Sequence, residues 1–140
     1  MNVKTIILPV DGSGHSDKAA EHAVEYALAA GAEVVLLHCR RAVPPELGEP
    51  NVQWVLDQYA ASAQEVVKPY EALLGEKGVA VRTEIVGGRP GQVIADVARA
   101  ENADLIIMGS KGKSDLEGLI LGSVTHAVLH TAPCPVLVVK

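Results

Sequence analysis

Phenylalanine is absent from this 140-residue chain, and aromatic residues together make up only 3%. A folded core must therefore be filled by aliphatic side chains. These are plentiful, since 49% of the residues are hydrophobic, a share that fits a soluble globular protein. Long apolar runs are missing: no stretch approaches the ~20 residues a membrane helix needs, and the opening run in MNVKTIILPV is too short for a signal peptide. A cytoplasmic location without membrane contact is the expectation. Basic charge is also scarce, with 12 Lys and Arg against 17 Asp and Glu, a net charge of −5. Without a long basic run the electrostatic footprint for nucleic acid is missing. The two cysteines, Cys39 and Cys134, each sit in an apolar, strand-like context, where free buried thiols are expected instead of a disulfide.

What is present is a regular alternation. VKTIILPV, EVVLLHC, VAVRTEIV, DLIIMG and PVLVV are rich in β-branched and aliphatic residues and read as five strands. Helical periodicity fills the gaps. SDKAAEHAVEYALAAG sets Ala19, Ala23, Ala27 and Ala30 on one stripe, with Ser16 as expected N-cap, Asp17 and Glu21 near the positive end of the dipole and Gly31 as C-cap. A proline-rich linker, RRAVPPELGEP, is expected to be flexible and leads into a helix over 52–76 that Pro69 is expected to kink or split. A third helix is expected from Pro90 to Glu101, and the last from near Ser123 to just before Ala132-Pro133. Strand and helix alternating to the end predict one domain over 1–140, a doubly wound α/β fold whose mainly parallel sheet carries helices on both faces. Such sheets bind ligands beyond the carboxyl ends of their strands where strand order reverses. PVDGSGHS after strand 1 and MGSKGKS after strand 4 are the two loops suited to that place.

Gly112-Lys113-Ser114 resembles the end of a Walker A loop, but that motif needs a glycine five positions before Gly112, where Ile107 stands inside a strand. A different spacing is present: Gly109, two residues, Gly112, nine residues, then Gly122-Ser123. Glycines there are expected to allow positive φ and close backbone approach, and Gly122-Ser123 opens a helix whose free amides can hold an anion.

With a preceding strand ending in Met108 and a helix closing on APCPVLVV, this G-x-x-G-x9-G-[ST] pattern resembles the ATP-binding branch of the universal stress protein family. ILPVDGSGHSDKA and VVLLHC resemble that family's first strand and loop and its second strand, so the likeness spans the chain. The resemblance implies a Rossmann-like five-stranded sheet in the order 3-2-1-4-5. It also implies a site for ATP, with Mg²⁺ held by the phosphates and water. Asp11 would meet the ribose or adenine edge, with Pro9 shaping the approach, unless it serves only as a turn aspartate bonding its own loop amides. Adenine would meet the main chain at Cys39, where the family often has valine. Met108 and Gly109 would line base and ribose, Gly112 and Gly122 would touch phosphates through their amides, Ser123 would add a hydroxyl as it caps the helix, and Val124 another amide. Lys111 and Lys113 are candidates for neutralising phosphate charge.

Homodimerisation is expected through the last strand, Val136 to Val139, which is apolar on both faces, and a regulatory protein partner is implied. Hydrolysis is expected to be absent or slow, because no residue that orients water stands out and Asp115 and Glu117 are read as lying in a mobile loop. A slow ATPase or nucleotide-transferring enzyme and a ligand-free dimeric interaction protein are the competing readings. Leu116, Leu119, Ile120 and Leu121 are expected to anchor the long loop against the domain or a partner. His126 and His130, four apart on the last helix, and His38, in an apolar strand, are read as structural histidines.

Overall fold

A computed structural model describes residues 2–42, 48–113, 115 and 118–140. The linker residues 43–47, together with Ser114, Leu116 and Glu117, lie outside the described residues. In chain order the elements are β1 (Thr5–Pro9), α1 (Gly14–Ala30), β2 (Glu33–Arg40), α2 (Asn51–Glu76), β3 (Val81–Gly87), α3 (Pro90–Ala100), β4 (Leu105–Gly109), α4 (Ser123–Thr131) and β5 (Val136–Val139). All strand pairs are parallel, and the sheet order is β3-β2-β1-β4-β5. This is the doubly wound, Rossmann-like α/β fold in the order 3-2-1-4-5.

Burial on both faces explains the near-continuous apolar runs of the central strands. Along β1, Ile6 and Leu8 pack into a cluster with α1 and α2, while Ile7 points the other way into a cluster with α3 and α4. Along β4, Ile107 joins the first cluster, and Ile106 and Met108 the second. Aliphatic side chains fill both layers, with Tyr70 the one aromatic residue in them. Its hydroxyl donates to Asp17 Oδ1 at 2.6 Å, tying α2 to α1.

Several boundaries differ from the sequence reading. The N-cap of α1 is Ser13, three residues ahead of Ser16, and its side chain accepts from the Ser16 amide at 3.2 Å. The hydroxyl of Ser16 is drawn away to Asp11, which leaves the cap to the earlier serine. Ala19, Ala23 and Ala27 are buried as expected, but Ala30 is exposed at the end of the helix, and Ala20 and Val24 widen the buried face instead. Gly31 does cap α1 in the left-handed conformation, at φ 68°. Neither a break nor a split appears at Pro69: α2 runs through it as one element, with Ala63 and Val67 packed before it and Tyr70 and Leu74 after it. Trp54 is exposed near the start of α2. Leu119 and Ile120 are also exposed, so these two do not anchor the loop against the domain. His126 and His130 are exposed and stack edge to face, with ring centroids 4.7 Å apart. No helix among the described residues is long and apolar enough to cross a membrane.

The topology places one junction. From β1 the chain first winds outward through β2 to β3, then returns to β4 on the other side of β1, so the crossovers diverge between the carboxyl ends of β1 and β4. There α1 starts hard against β4: a Cβ added to Gly109 would lie 2.7 Å from His15 Cβ, 2.8 Å from its carbonyl carbon and 2.9 Å from its carbonyl oxygen. Two of those atoms are backbone in the first turn of α1 and cannot rotate aside. Gly109→Ala is therefore expected to destabilise the fold by roughly 1–3 kcal/mol, the usual cost of overpacking. Gly14→Ala, whose Cβ would meet nothing within 4 Å, is the control. Urea unfolding should show a lowered midpoint at unchanged slope for the first variant, and equal midpoints for the two would contradict this packing.

Candidate functional site

At the β1–β4 junction lies a cavity of about 370 Å³, in the range of small-molecule sites. Leu37, Ile94, Pro90 and Met108 give it apolar walls, while Asp11, His38, Arg41, Lys111, Lys113 and Asp115 bring polar groups. Of the nine residues singled out from the sequence, Pro9, Asp11, Cys39, Met108, Gly109, Gly112, Ser123 and Val124 line it. Gly122 is buried just behind.

Asp11 joins the two loops that frame the cavity. Its Oδ1 accepts from the Ser13 amide at 2.9 Å and the Ser16 hydroxyl at 2.7 Å, and its Oδ2 accepts from the Lys113 amide at 2.9 Å. The turn role weighed for this residue is thus real, and the same carboxylate also clasps the glycine-rich loop. Burial by itself would raise its pKa, but the hydrogen bonds from Ser13, Ser16 and Lys113 outweigh that and hold it below the usual aspartate value.

Cys39 reaches the cavity through its main chain by strand register. The Glu33 amide donates to the Lys4 carbonyl and the Leu37 carbonyl accepts from the Val10 amide, so alternate residues of β2 turn their peptide groups toward β1. Cys39 continues that alternation beyond Pro9, the last residue of β1, which is paired with Leu37. Its peptide groups therefore face the cavity where no strand covers them. The thiol is pushed up to about 12 by burial and stays protonated at neutral pH. Both cysteines are free.

The far wall is the start of α4. Its N-cap is Gly122, with no side-chain cap, and the helical ladder begins with the His126 amide bonding the Gly122 carbonyl at 3.0 Å. The amides of Ser123, Val124 and Thr125 thus precede that ladder, at the positive end of the helix dipole. Three details correct the sequence reading. Positive φ is not what the motif glycines supply: Gly122 has φ −76°, and the left-handed glycines are Gly12, Gly31, Gly78, Gly88 and Gly118. Gly109 and Gly122 are needed for space. The second correction concerns the Gly122 amide, which donates to the Ser110 carbonyl at 2.7 Å and is not directed at the cavity. Ser123, moreover, is the first helical residue, not the cap.

Some cavity residues escaped the sequence reading. His38 was read as a satisfied strand histidine, and its Nδ1 does lie 2.8 Å from the Val10 carbonyl, yet it also lines the cavity. Because a carbonyl only accepts, that bond places the proton on Nδ1 and leaves Nε2 an acceptor. Thr125 is buried and donates its hydroxyl to the Gly109 carbonyl at 2.9 Å, tying α4 to the end of β4. A threonine two residues after Gly122-Ser123 is the available signal for it. Asp115, assigned to a mobile loop, is half-buried, with Oδ2 accepting from the Gly112 amide at 2.5 Å. No group of three or more His, Cys, Asp or Glu among the described residues could hold a metal ion.

An α/β domain with a cavity at its strand-order reversal, walled by a helix N-terminus and a glycine-rich loop, presents backbone donors and the positive end of a helix dipole to that cavity. Residues 2–140 match the universal stress protein family model, and the chain belongs to that family. It is 40% identical over 140 residues to universal stress protein MJ0531 of Methanocaldococcus jannaschii, covering 98% of this chain and 82% of that protein. The solved structure of MJ0577, a universal stress protein of the same organism, superposes with a TM-score of 0.90 at 32% identity, covering 100% of this chain and 97% of that one. Two more distant structures share the fold, each with a TM-score of 0.77 and covering 100% of this chain. One is a universal stress protein in complex with cAMP, at 22% identity and 99% of its chain. The other is that of Archaeoglobus fulgidus in complex with dAMP, at 20% identity and 100% of its chain.

The depressed pKa of Asp11 carries a pH prediction. A carboxylate whose folded pKa lies below its unfolded value of ~3.9 contributes stability that is fully present above the unfolded value and lost as pH falls through the folded one. Asp11→Asn is expected to cost roughly 1.5–3 kcal/mol at pH 7, the range for hydrogen bonds to a charged group. The gap between wild type and variant should hold at pH 5, above the unfolded value, and narrow as pH falls from there to pH 3. Denaturant melts at pH 7, 5 and 3 measure it, and a gap that stays constant to pH 3 would contradict the assignment.

Proposed function

We propose that the protein is an adenine-nucleotide receptor, binding ATP with Mg²⁺ and acting as a nucleotide-dependent regulatory module for a protein partner. The observation that carries this reading is the convergence on one cavity of the uncapped amides of α4 with the unpaired main chain of Cys39. These suit opposite ends of a nucleotide. The peptide groups of Cys39 would meet the adenine edge between Pro9 and Met108. Asp11, already fixed by Ser13 and Ser16, would present its carboxylate to the ribose. The amides of Gly112, Ser123 and Val124 would take phosphate oxygens, with Lys111 and Lys113 supplying positive charge. Mg²⁺ would be held by phosphate and water. The complexes of two fold relatives with cAMP and dAMP support an adenine nucleotide as the ligand class.

The nucleotide is read as a signal and not as a substrate. Rapid phosphoryl transfer needs an ordered water and cationic groups fixed on the transition state. Here Asp11 is engaged by three donors, and Lys113 is exposed. Calorimetry should show ATP binding by wild type and none by Gly122→Val, whose Cβ would come 3.1 Å from Lys111 Cα and overlap the Asp115 carboxylate. Phosphate release with Mg²⁺ and saturating ATP should stay far below ~1 s⁻¹. Equal ATP affinity in the two proteins, or turnover at enzyme-like rates lost in the variant, would overturn this reading.

The assembly we propose is a homodimer paired through β5. Among the described residues only β4 flanks β5, which leaves its other edge open there, and Val136, Leu137 and Val138 are half-buried in the single chain although apolar. An open apolar edge invites a second strand. A second copy would close it around a twofold axis. Light scattering at tens of micromolar should give twice the 14.6 kDa chain mass, and Val138→Lys should shift it toward monomer. A monomeric wild type would refute the dimer.

A further inference from the structure

Asp115 stands where the ligand's phosphate belongs. Its Oδ2 accepts from the Gly112 amide at 2.5 Å, and its Oδ1 lies 3.5 Å from the Ser123 amide at the mouth of α4. Gly122 leaves the room for it: a Cβ there would overlap the carboxylate, so Oδ2 rests in the hollow that the missing side chain opens. The carboxylate also lines the cavity. It therefore meets the donors in the manner of a bound anion, with a charge-assisted bond to a loop amide and a longer approach to the helix N-terminus.

We infer that the Asp115 carboxylate is a built-in occupant of the phosphate subsite, which a nucleotide must displace to bind its phosphates. This rests on the reading of the cavity as a nucleotide site. Two consequences separate it from a purely structural role for the residue. Like charges cannot share one set of donors, so a phosphate and Asp115 exclude each other there. A tethered competitor also stays beside the donors whatever the ligand, at an effective concentration set by its tether, so it weakens every phosphate-bearing ligand alike. A nucleoside, which brings no charge to that end, leaves Asp115 in place. Asp115 thus sets how much the phosphates add to affinity, and it keeps the Gly112 amide paired when no nucleotide is bound.

The test compares adenosine, ATP and inorganic pyrophosphate on wild type, Asp115→Asn and Asp115→Ala, by calorimetry with and without Mg²⁺. The expected result is that both variants bind ATP and pyrophosphate about tenfold more tightly than wild type, while adenosine affinity stays within about twofold. In ligand-free wild type the Gly112 amide should also exchange slowly with solvent, and in both variants quickly. ATP affinity that is unchanged in both variants would overturn the inference and leave the nucleotide site standing. So would a loss of ATP affinity seen only with Mg²⁺, which would make Asp115 a metal ligand in the complex. If no form binds adenosine, ATP or pyrophosphate, the proposed function and this inference fall together.

Discussion

The site hangs on one shared carboxylate. Asp11 lies just past β1, and its two oxygens are divided between the turn that starts α1 and the loop that follows β4. Those segments are about a hundred residues apart in sequence and meet because β1 pairs with β4 in the middle of the sheet. Pairing sets the strand ends side by side but does not fix the loops beyond them. Asp11 does so, through amides and a hydroxyl that would otherwise need solvent. Its depressed pKa has the same cause as its positioning power, because donors that favour the ionised form are the donors that fix the loops.

The layers of the fold were legible because burial on two faces leaves a strong trace. Strands such as IILP within β1 and LIIMG in β4 are apolar throughout, and the helices between them place small or aliphatic residues at helical spacing. Local competition was harder to read. Ser16 was expected to cap α1, but the cap is Ser13, because Asp11 takes the hydroxyl of Ser16. Ala30 belongs to the alanine stripe by spacing, but the helix ends there and exposes it. Pro69 has the chemistry to break a helix, yet buried residues on both sides carry α2 through it.

At the site, the glycines were visible but the reason for them was not. A spacing pattern cannot separate a glycine needed for positive φ from one needed for space, and Gly109 and Gly122 are of the second kind. Gly109 lets the first turn of α1 lie against β4, and Gly122 leaves a hollow where an anion can approach α4. Asp115 was misplaced for a related reason. A carboxylate in a polar loop is ordinarily solvated, and only the closing of the loop onto Gly112 and Gly122 turns it inward. His38 was read as a structural strand histidine because cavity walls follow from register, which one strand's pattern does not disclose.

Charge shows why such a cavity can be both anion-seeking and stable when empty. The whole chain carries −5, which by itself would repel a nucleotide. Around the cavity the balance reverses: Arg41, Lys111 and Lys113 stand against Asp11 and Asp115, three positive charges and two negative. The helix dipole of α4 adds to the positive side. With both carboxylates in place the site is near neutral, so the cations and the helix end do not destabilise the empty fold by mutual repulsion. If Asp115 leaves the hollow as inferred above, one of those negative charges would move away from the donors, and the balance there would become more positive as a phosphate arrives. A site made wholly of cations would hold phosphate more tightly but would strain the protein whenever it was empty. One of glycine alone would lack the field. A carboxylate that phosphate can displace from fixed donors would escape both costs, because the Gly112 amide would be paired in either state.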